Sequence, residues 1–250
     1  MKKVLPILLI LSALSLPSLR ANEMFTLPVP QGTAHLEEKK DPLFTGNIQA
    51  GWASKYVTEG INCLSEGGIY VVNPTVTWKD ISLTAWYASG DKINYDELDM
   101  VLSYTWKVGK WRITPWYEHH FYFTSDTDVA NPALTIGYAL TDWLSVGGDI
   151  QEKVEDGTLN GYFDLWAAAS WTVNDSLTLG SKVLVGYNEG YNHDTGFGMN
   201  TIDYSITATW TLCDSLSLIG SANYSQALSV LRRSNLGDDF WVGIQACYTF

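Results

Sequence analysis

The sequence predicts an all-β protein, a transmembrane up-and-down antiparallel β-barrel of about 12 strands. Three features carry that expectation: a period-two alternation of apolar and polar residues, connections that alternate between short and long, and aromatic residues gathered at both strand ends. The alternation is clearest late in the chain. Ile202, Tyr204, Ile206, Ala208, Trp210 and Leu212 fall in one phase, and Asp203, Ser205, Thr207, Thr209 and Thr211 in the other. Successive residues of a strand point to opposite faces, so this segment has one apolar and one polar side. The same split recurs in Phe163, Leu165, Ala167, Ala169 and Trp171 against Asp164, Trp166, Ala168, Ser170 and Thr172.

Alternating segments fall at 45–57, 68–78, 80–89, 95–107, 111–123, 132–140, 143–153, 161–173, 176–188, 200–212, 215–226 and 239–250. Short connections lie around Lys79, Gly109, Thr141, Asn174 and Cys213. Longer ones lie at 58–67, 90–94, 124–131, 154–160, 189–199 and 227–238. An even number of strands, with tight turns at one end and longer loops at the other, is the outer-membrane pattern, and it places both termini on the periplasmic side.

By strand phase, Trp78, Trp106, Trp111, Trp171 and Trp210 point outward at the turn end. Tyr56, Tyr70, Tyr87, Phe123, Phe163, Tyr187, Tyr224 and Phe240 point outward at the loop end. Indole and phenol rings favour the membrane–water boundary because each joins an apolar body to one polar group. A soluble sandwich would gather such rings in one core. The last segment places Phe240, Val242, Ile244, Ala246, Tyr248 and Phe250 on one face. Its aromatic pair, Tyr248 and Phe250, is the pattern that the barrel-assembly machinery reads, which makes that machinery and outer-membrane lipids the expected partners.

The first residues carry an export pattern. Lys2 and Lys3 precede an apolar run from Val4 to Leu16, and Ala21 offers a small residue for cleavage, giving a signal peptide over 1–21. Residues 22–43 lack periodicity and form a flexible periplasmic arm, and the barrel domain is 44–250. After the signal, no stretch approaches the roughly 18 consecutive apolar residues of a spanning helix. The chain is acidic, with 27 Asp and Glu against 15 Lys and Arg, which argues against nucleic acid as a partner. Cys63, Cys213 and Cys247 match neither a metal spacing nor a disulfide framework.

Ser54-Lys-Tyr56-Val-Thr-Glu-Gly60-Ile61 resembles the opening motif of the TorF-like porin family, in which Ser-x-Tyr-x-x-x-Gly-Ile precedes a hairpin and then a strand that opens with acidic residues. Glu97 and Asp99 are placed to fill that last role, and Glu59 stands where the family usually has Arg. The likeness covers about residues 47–105. It implies an outer-membrane barrel with a transport role and supplies no catalytic residues.

Candidate functional residues come from the inward phase. The acids are Glu97, Asp99, Glu118, Asp149, Asp164 and Asp203; the bases are Lys55, Lys107, Arg112, Lys153 and Lys182, with His120 beside them. A charge on the lipid face costs about 2–4 kcal/mol at the membrane midplane, so charged residues collect inside. Those charges either pair to fill the lumen or line a conducting path. Trp86, Trp116, Trp166 and Trp241 also fall in the inward phase, as a constriction or as a platform for flat solutes. A hydrolase would need a nucleophile beside a histidine, and only His119 and His120, followed by Ser125 and Asp126, come close. No catalytic residue, metal site or cofactor motif is therefore expected. The expected function is a porin or narrow channel for small solutes, with a plugged structural or adhesive barrel as the alternative and an outer-membrane hydrolase as a weaker one. The architecture predicts a detergent-extracted protein that is β-rich and migrates differently on gels with and without boiling. Solubility without detergent after removal of residues 1–21 would contradict it.

Overall fold

A computed structural model of the chain describes residues 44–123, 128–155, 158–192 and 196–250. The expected signal peptide, the arm at 22–43, and Ser125, Asp126, Asp156 and Asp194 of the long loops lie outside the described residues.

The elements run β1 (Thr45–Ala53), β2 (Val57–Thr58), β3 (Ile61–Asn62), β4 (Ile69–Trp78), β5 (Ile81–Gly90), β6 (Asp96–Tyr104), β7 (Trp106–Val108), β8 (Trp111–Tyr122), β9 (Asp128–Ala139), β10 (Leu144–Glu155), β11 (Thr158–Asn174), β12 (Leu177–Glu189), β13 (Phe197–Cys213), β14 (Leu216–Ala227), α1 (Ser229–Arg233) and β15 (Asp239–Thr249). Among the described residues, β2 and β3 pair only with each other. The other strands pair antiparallel in chain order, except that β6 and β7 do not pair with each other and both pair with β8; β15 returns to β1. β7 continues the line of β6 beyond Thr105, so the sheet closes as a 12-stranded barrel.

Closure is completed where the chain ends meet. Gly46 and Phe250 exchange two backbone hydrogen bonds, each of 3.0 Å. A Cβ on Gly46 would stand 2.8 Å from the Phe250 ring and 2.4 Å from the Thr75 carbonyl, so the missing side chain lets the ring lie against the backbone.

The strand phases match the sequence reading. Leu165 (72% exposed) and Trp171 (74%) lie on the outer face, and Asp164 and Trp166 on either side of Leu165 are buried inside. Trp78, Trp106, Trp111 and Trp210 are exposed at the turn end, joined by Trp143. Tyr70, Tyr87, Phe123, Tyr187, Tyr224 and Phe240 are exposed at the loop end.

Two expectations are overturned. The first strand stops at Ala53 and not at residue 57, and Tyr56 is buried inside the barrel instead of joining the outer belt. The cause is Ser54, which finishes the ladder by pairing its amide with the Val242 carbonyl (2.9 Å) and its Oγ with the Val242 amide (3.1 Å). Beyond it the chain turns inward. The connection at 227–238 is also no plain loop: it holds α1, whose Val230 and Leu231 are fully buried.

These phases set a stability test. Arginine in place of Leu165, on the lipid face, should destabilise the barrel by about 2–4 kcal/mol in urea unfolding from lipid vesicles. Arginine in place of the inward Ser221 should leave stability near wild type. Equal losses would mean that the assigned faces are wrong.

Candidate functional site

The inner face is built around the β2–β3 hairpin. Glu59 and Gly60 both have positive φ (46° and 74°), the backbone of a two-residue type I′ turn, and this folds Val57–Asn62 back on itself inside the barrel. Gly60 is the tip. A Cβ there would meet Leu231 at 2.8 Å, Thr201 Oγ1 at 2.9 Å and Ser225 Oγ at 3.0 Å, so the glycine sits tight against α1 and the β13–β14 wall.

That wall is shaped to receive it. The β12–β13 register shifts beside Gly186, and the extra residue is Asn200. A bulge re-aims a side chain; here Asn200 and Thr201 are both fully buried. Asn200 Nδ2 donates to the Glu59 carbonyl at 2.6 Å and to the Tyr162 hydroxyl at 3.2 Å. At the hairpin base, the Tyr56 hydroxyl donates to Glu97 Oε2 at 3.0 Å, and the Tyr56 ring lies 5.6 Å from that of Trp86. Tyr56, Val57, Leu64, Trp86 and Trp241 pack in one buried apolar cluster. The hairpin is thus seated by apolar burial and held by hydrogen bonds on two walls.

The inward charges gather in groups. Glu97 and Asp99 alternate on β6, and Asp99 lies directly opposite His120 of β8. His120 Nδ1 is 2.8 Å from Asp99 Oδ1 and 3.2 Å from Glu97 Oε1, while its Nε2 is 3.2 Å from Glu118 Oε2 and 2.7 Å from Asn131 Nδ2. All three carboxylates are buried. The hydroxyl of Tyr95 also donates to Glu97.

Farther round, Asp149 and Asp164 stand directly opposite each other on β10 and β11. Asp149 accepts the Trp166 indole N–H at 2.8 Å and the hydroxyl of Thr135. Lys182 Nζ lies 5.6 Å over the Trp166 ring, and Lys153 Nζ lies 5.9 Å over that of Tyr191. Asp203 accepts from Thr201 Oγ1 at 2.7 Å. Lys55 sits at the rim, 2.5 Å from Asp239. Arg112 and Lys107 lie opposite each other near the turn end, away from the other inward charges.

The four inward tryptophans are all buried, in three separate packing groups. Trp86 and Trp241 join the hairpin cluster, Trp116 packs with Val101, and Trp166 with Ala168 and Leu184. A cavity of about 60 Å³ remains under the hairpin tip, between Glu59, Tyr162, Lys182, Asp203, Asn223 and Trp241. The sequence reading missed the hairpin and Asn200; the first had a signal in Glu59-Gly60, the second had none.

His119 and His120 lie on opposite sides of the barrel wall. His119 faces outward, its ring centroid 4.4 Å from that of Phe121, and His120 faces the carboxylates. The pair cannot converge on one reacting atom.

Two solved structures share this architecture. The KdgM porin, solved in complex with disordered oligogalacturonate, aligns with a TM-score of 0.57 at 11% identity, covering 82% of this chain and 99% of that one. The NanC porin aligns with a TM-score of 0.55 at 12% identity, covering 81% and 98%. The chain therefore has the closed-barrel fold of outer-membrane porins. No family model matches it, and no curated protein matches it in sequence.

Carboxylates peg the loops at the rim. Asp91 accepts the Trp52 indole N–H (2.9 Å) and the Gly68 amide (2.8 Å), and these bonds hold its carboxyl below the usual range. Asp238 is held low in the same way by the Tyr224 hydroxyl and the Ala227 amide, with Arg232 adding its charge. A depressed folded pKa stabilises above the unfolded value, near 3.9 for aspartate, and that contribution is lost as pH falls through the lower folded value. In an NMR titration, the Trp52 indole N–H resonance should move with a midpoint below about 3.9. A midpoint at or above that value would remove these bonds from the account.

Proposed function

We propose that this protein is a narrow porin-type channel of the outer membrane, passing small hydrophilic solutes through a lumen reduced by the β2–β3 hairpin. One observation carries the reading: a closed barrel with a polar inner face holds an inward hairpin, seated at its base in one apolar cluster and tied to two walls by single hydrogen bonds. The TorF-like resemblance supports it. Ser54, Tyr56 and Gly60 of that motif each act in seating the hairpin, and Glu97, from the acidic strand opening, receives Tyr56. The turn end faces the periplasm in this reading, and Tyr248 and Phe250, outward on the closing strand, serve the assembly machinery.

Trp116 and Trp166 narrow the path below the hairpin. The acids Glu97, Asp99, Glu118, Asp149, Asp164 and Asp203 outnumber Lys107, Arg112, Lys153 and Lys182 along the wall, and at the described loops Glu66, Asp91, Glu189, Asp238 and Asp239 outnumber Lys92, Arg232 and Arg233. Such a field concentrates cations, and salt screens it over about 10 Å at 0.1 M.

Planar-bilayer recording tests the proposal. Wild type should give small stepwise currents with a mild cation preference that fades at high salt. Replacing 57–62 with a short Gly-Ser turn should raise conductance several-fold. Trp116→Ala should raise it as well, whereas Trp210→Ala, on the lipid face, should lower stability and leave conductance unchanged. A silent wild type beside a conducting hairpin deletion would make the barrel a plugged one, and clear anion selectivity would overturn the charge argument.

A further inference from the structure

Glu97, Asp99 and His120 form a group that the solute path does not explain. We infer that they bind a divalent transition-metal ion, zinc by the chemistry of the ligands, with Glu118 as the residue that orients the imidazole. One ligand atom from each of the three lies within 4.8 Å of the other two. Donors around a tetrahedral zinc stand about 3.4 Å apart, given bonds of about 2.0–2.2 Å. His120 Nδ1 is 2.8 Å from Asp99 Oδ1 and 3.2 Å from Glu97 Oε1, so small rotations of these side chains make room for an ion.

The two faces of the imidazole have different tasks. Nε2 meets the Glu118 carboxylate at 3.2 Å. An N–H on Nε2 that donates to that carboxylate, with the Asn131 amide turned so that its otherwise unpartnered Oδ1 faces the ring in place of Nδ2, leaves Nδ1 as the free lone pair, aimed at Glu97 and Asp99, which is the carboxylate–histidine–metal arrangement. Glu97 is braced on its far side, since Oε2 accepts from the Tyr56 and Tyr95 hydroxyls while Oε1 faces the site.

Burial supplies a separate observation. Asp99 is fully buried, and among the described residues its Oδ2 has no hydrogen-bond partner; neither has Glu118 Oε1. A buried ion without a partner is strongly unfavourable. An imidazolium alone would face three carboxylates with one positive charge. A divalent ion on neutral His120 brings two and offers a partner to Asp99 Oδ2. Imidazole favours zinc over calcium or magnesium, and three protein ligands leave the fourth position to water. No motif spacing marks this group along the chain, because the ligands come from two adjacent strands and meet only through their register.

Calorimetry on the detergent-purified, chelator-stripped barrel tests the assignment with zinc chloride as the probe. Wild type should take up one zinc per chain and melt at a higher temperature with it. His120→Ala and Asp99→Asn should abolish that uptake, and the outward His119→Ala should keep it. Glu118→Gln, nearly isosteric, should weaken affinity by about 10–100-fold, as loss of a supporting carboxylate does. Boiling-dependent gel migration confirms that each variant is folded. A folded wild type that binds no zinc, or a folded Glu118→Gln and His120→Ala that bind as wild type does, would overturn the inference.

Discussion

In a bilayer core there is no water to satisfy a bare backbone amide or carbonyl, and every other feature of this barrel follows from that constraint. A sheet meets it only by having no edge. The two termini of the sheet must therefore find each other, and they do so through β1 and β15, with Gly46 and Phe250 completing the last pair of bonds. A gap at this seam would expose a row of unpaired groups to lipid.

Closing the ring divides the side chains into two populations. The outer face takes Leu, Val, Ile and rings, and the polar residues of every strand are left to settle with one another inside. Threonine and serine manage this in neighbouring pairs, as Thr75 with Thr84 and Thr77 with Ser82, each at 2.8 Å. The carboxylates cannot, and they collect cations, indole N–H groups and hydroxyls around themselves. The hairpin enters this polar interior because it presents both kinds of partner: Tyr56 and Val57 for the apolar cluster, a phenol hydroxyl for Glu97, and a carbonyl for Asn200.

The outer surface was the legible part. A period of two is fixed by backbone geometry, so phases assigned from Trp171 or Ile206 hold whatever the neighbouring strands do. The interior obeys no such period. Tyr56 continues the outward phase of β1 on paper, and only the capture of Val242 by Ser54 shows that the strand has already ended. Asn200 owes its position to a one-residue shift between β12 and β13, which depends on how two strands distant in sequence align. His120 and Asp99 were both expected inside, but that they stand directly opposite follows from the register of β6 and β8, and register is a property of the pair.

The hairpin's two attachments also fix a length. From Tyr56, bonded to Glu97 on β6, to the carbonyl of Glu59, bonded to Asn200 on β13, the segment links two walls that stand six strands apart in the ring of twelve. An extended chain covers at most about 3.3–3.6 Å per residue, so this segment has a definite reach. Barrel diameter grows with strand number. A wider ring would carry Asn200 beyond the hairpin's grasp, and a narrower one would drive Gly60 into Leu231. The loop is therefore a gauge as well as an obstruction: chain spacing within 56–59 and the girth of the barrel are one dimension, written twice.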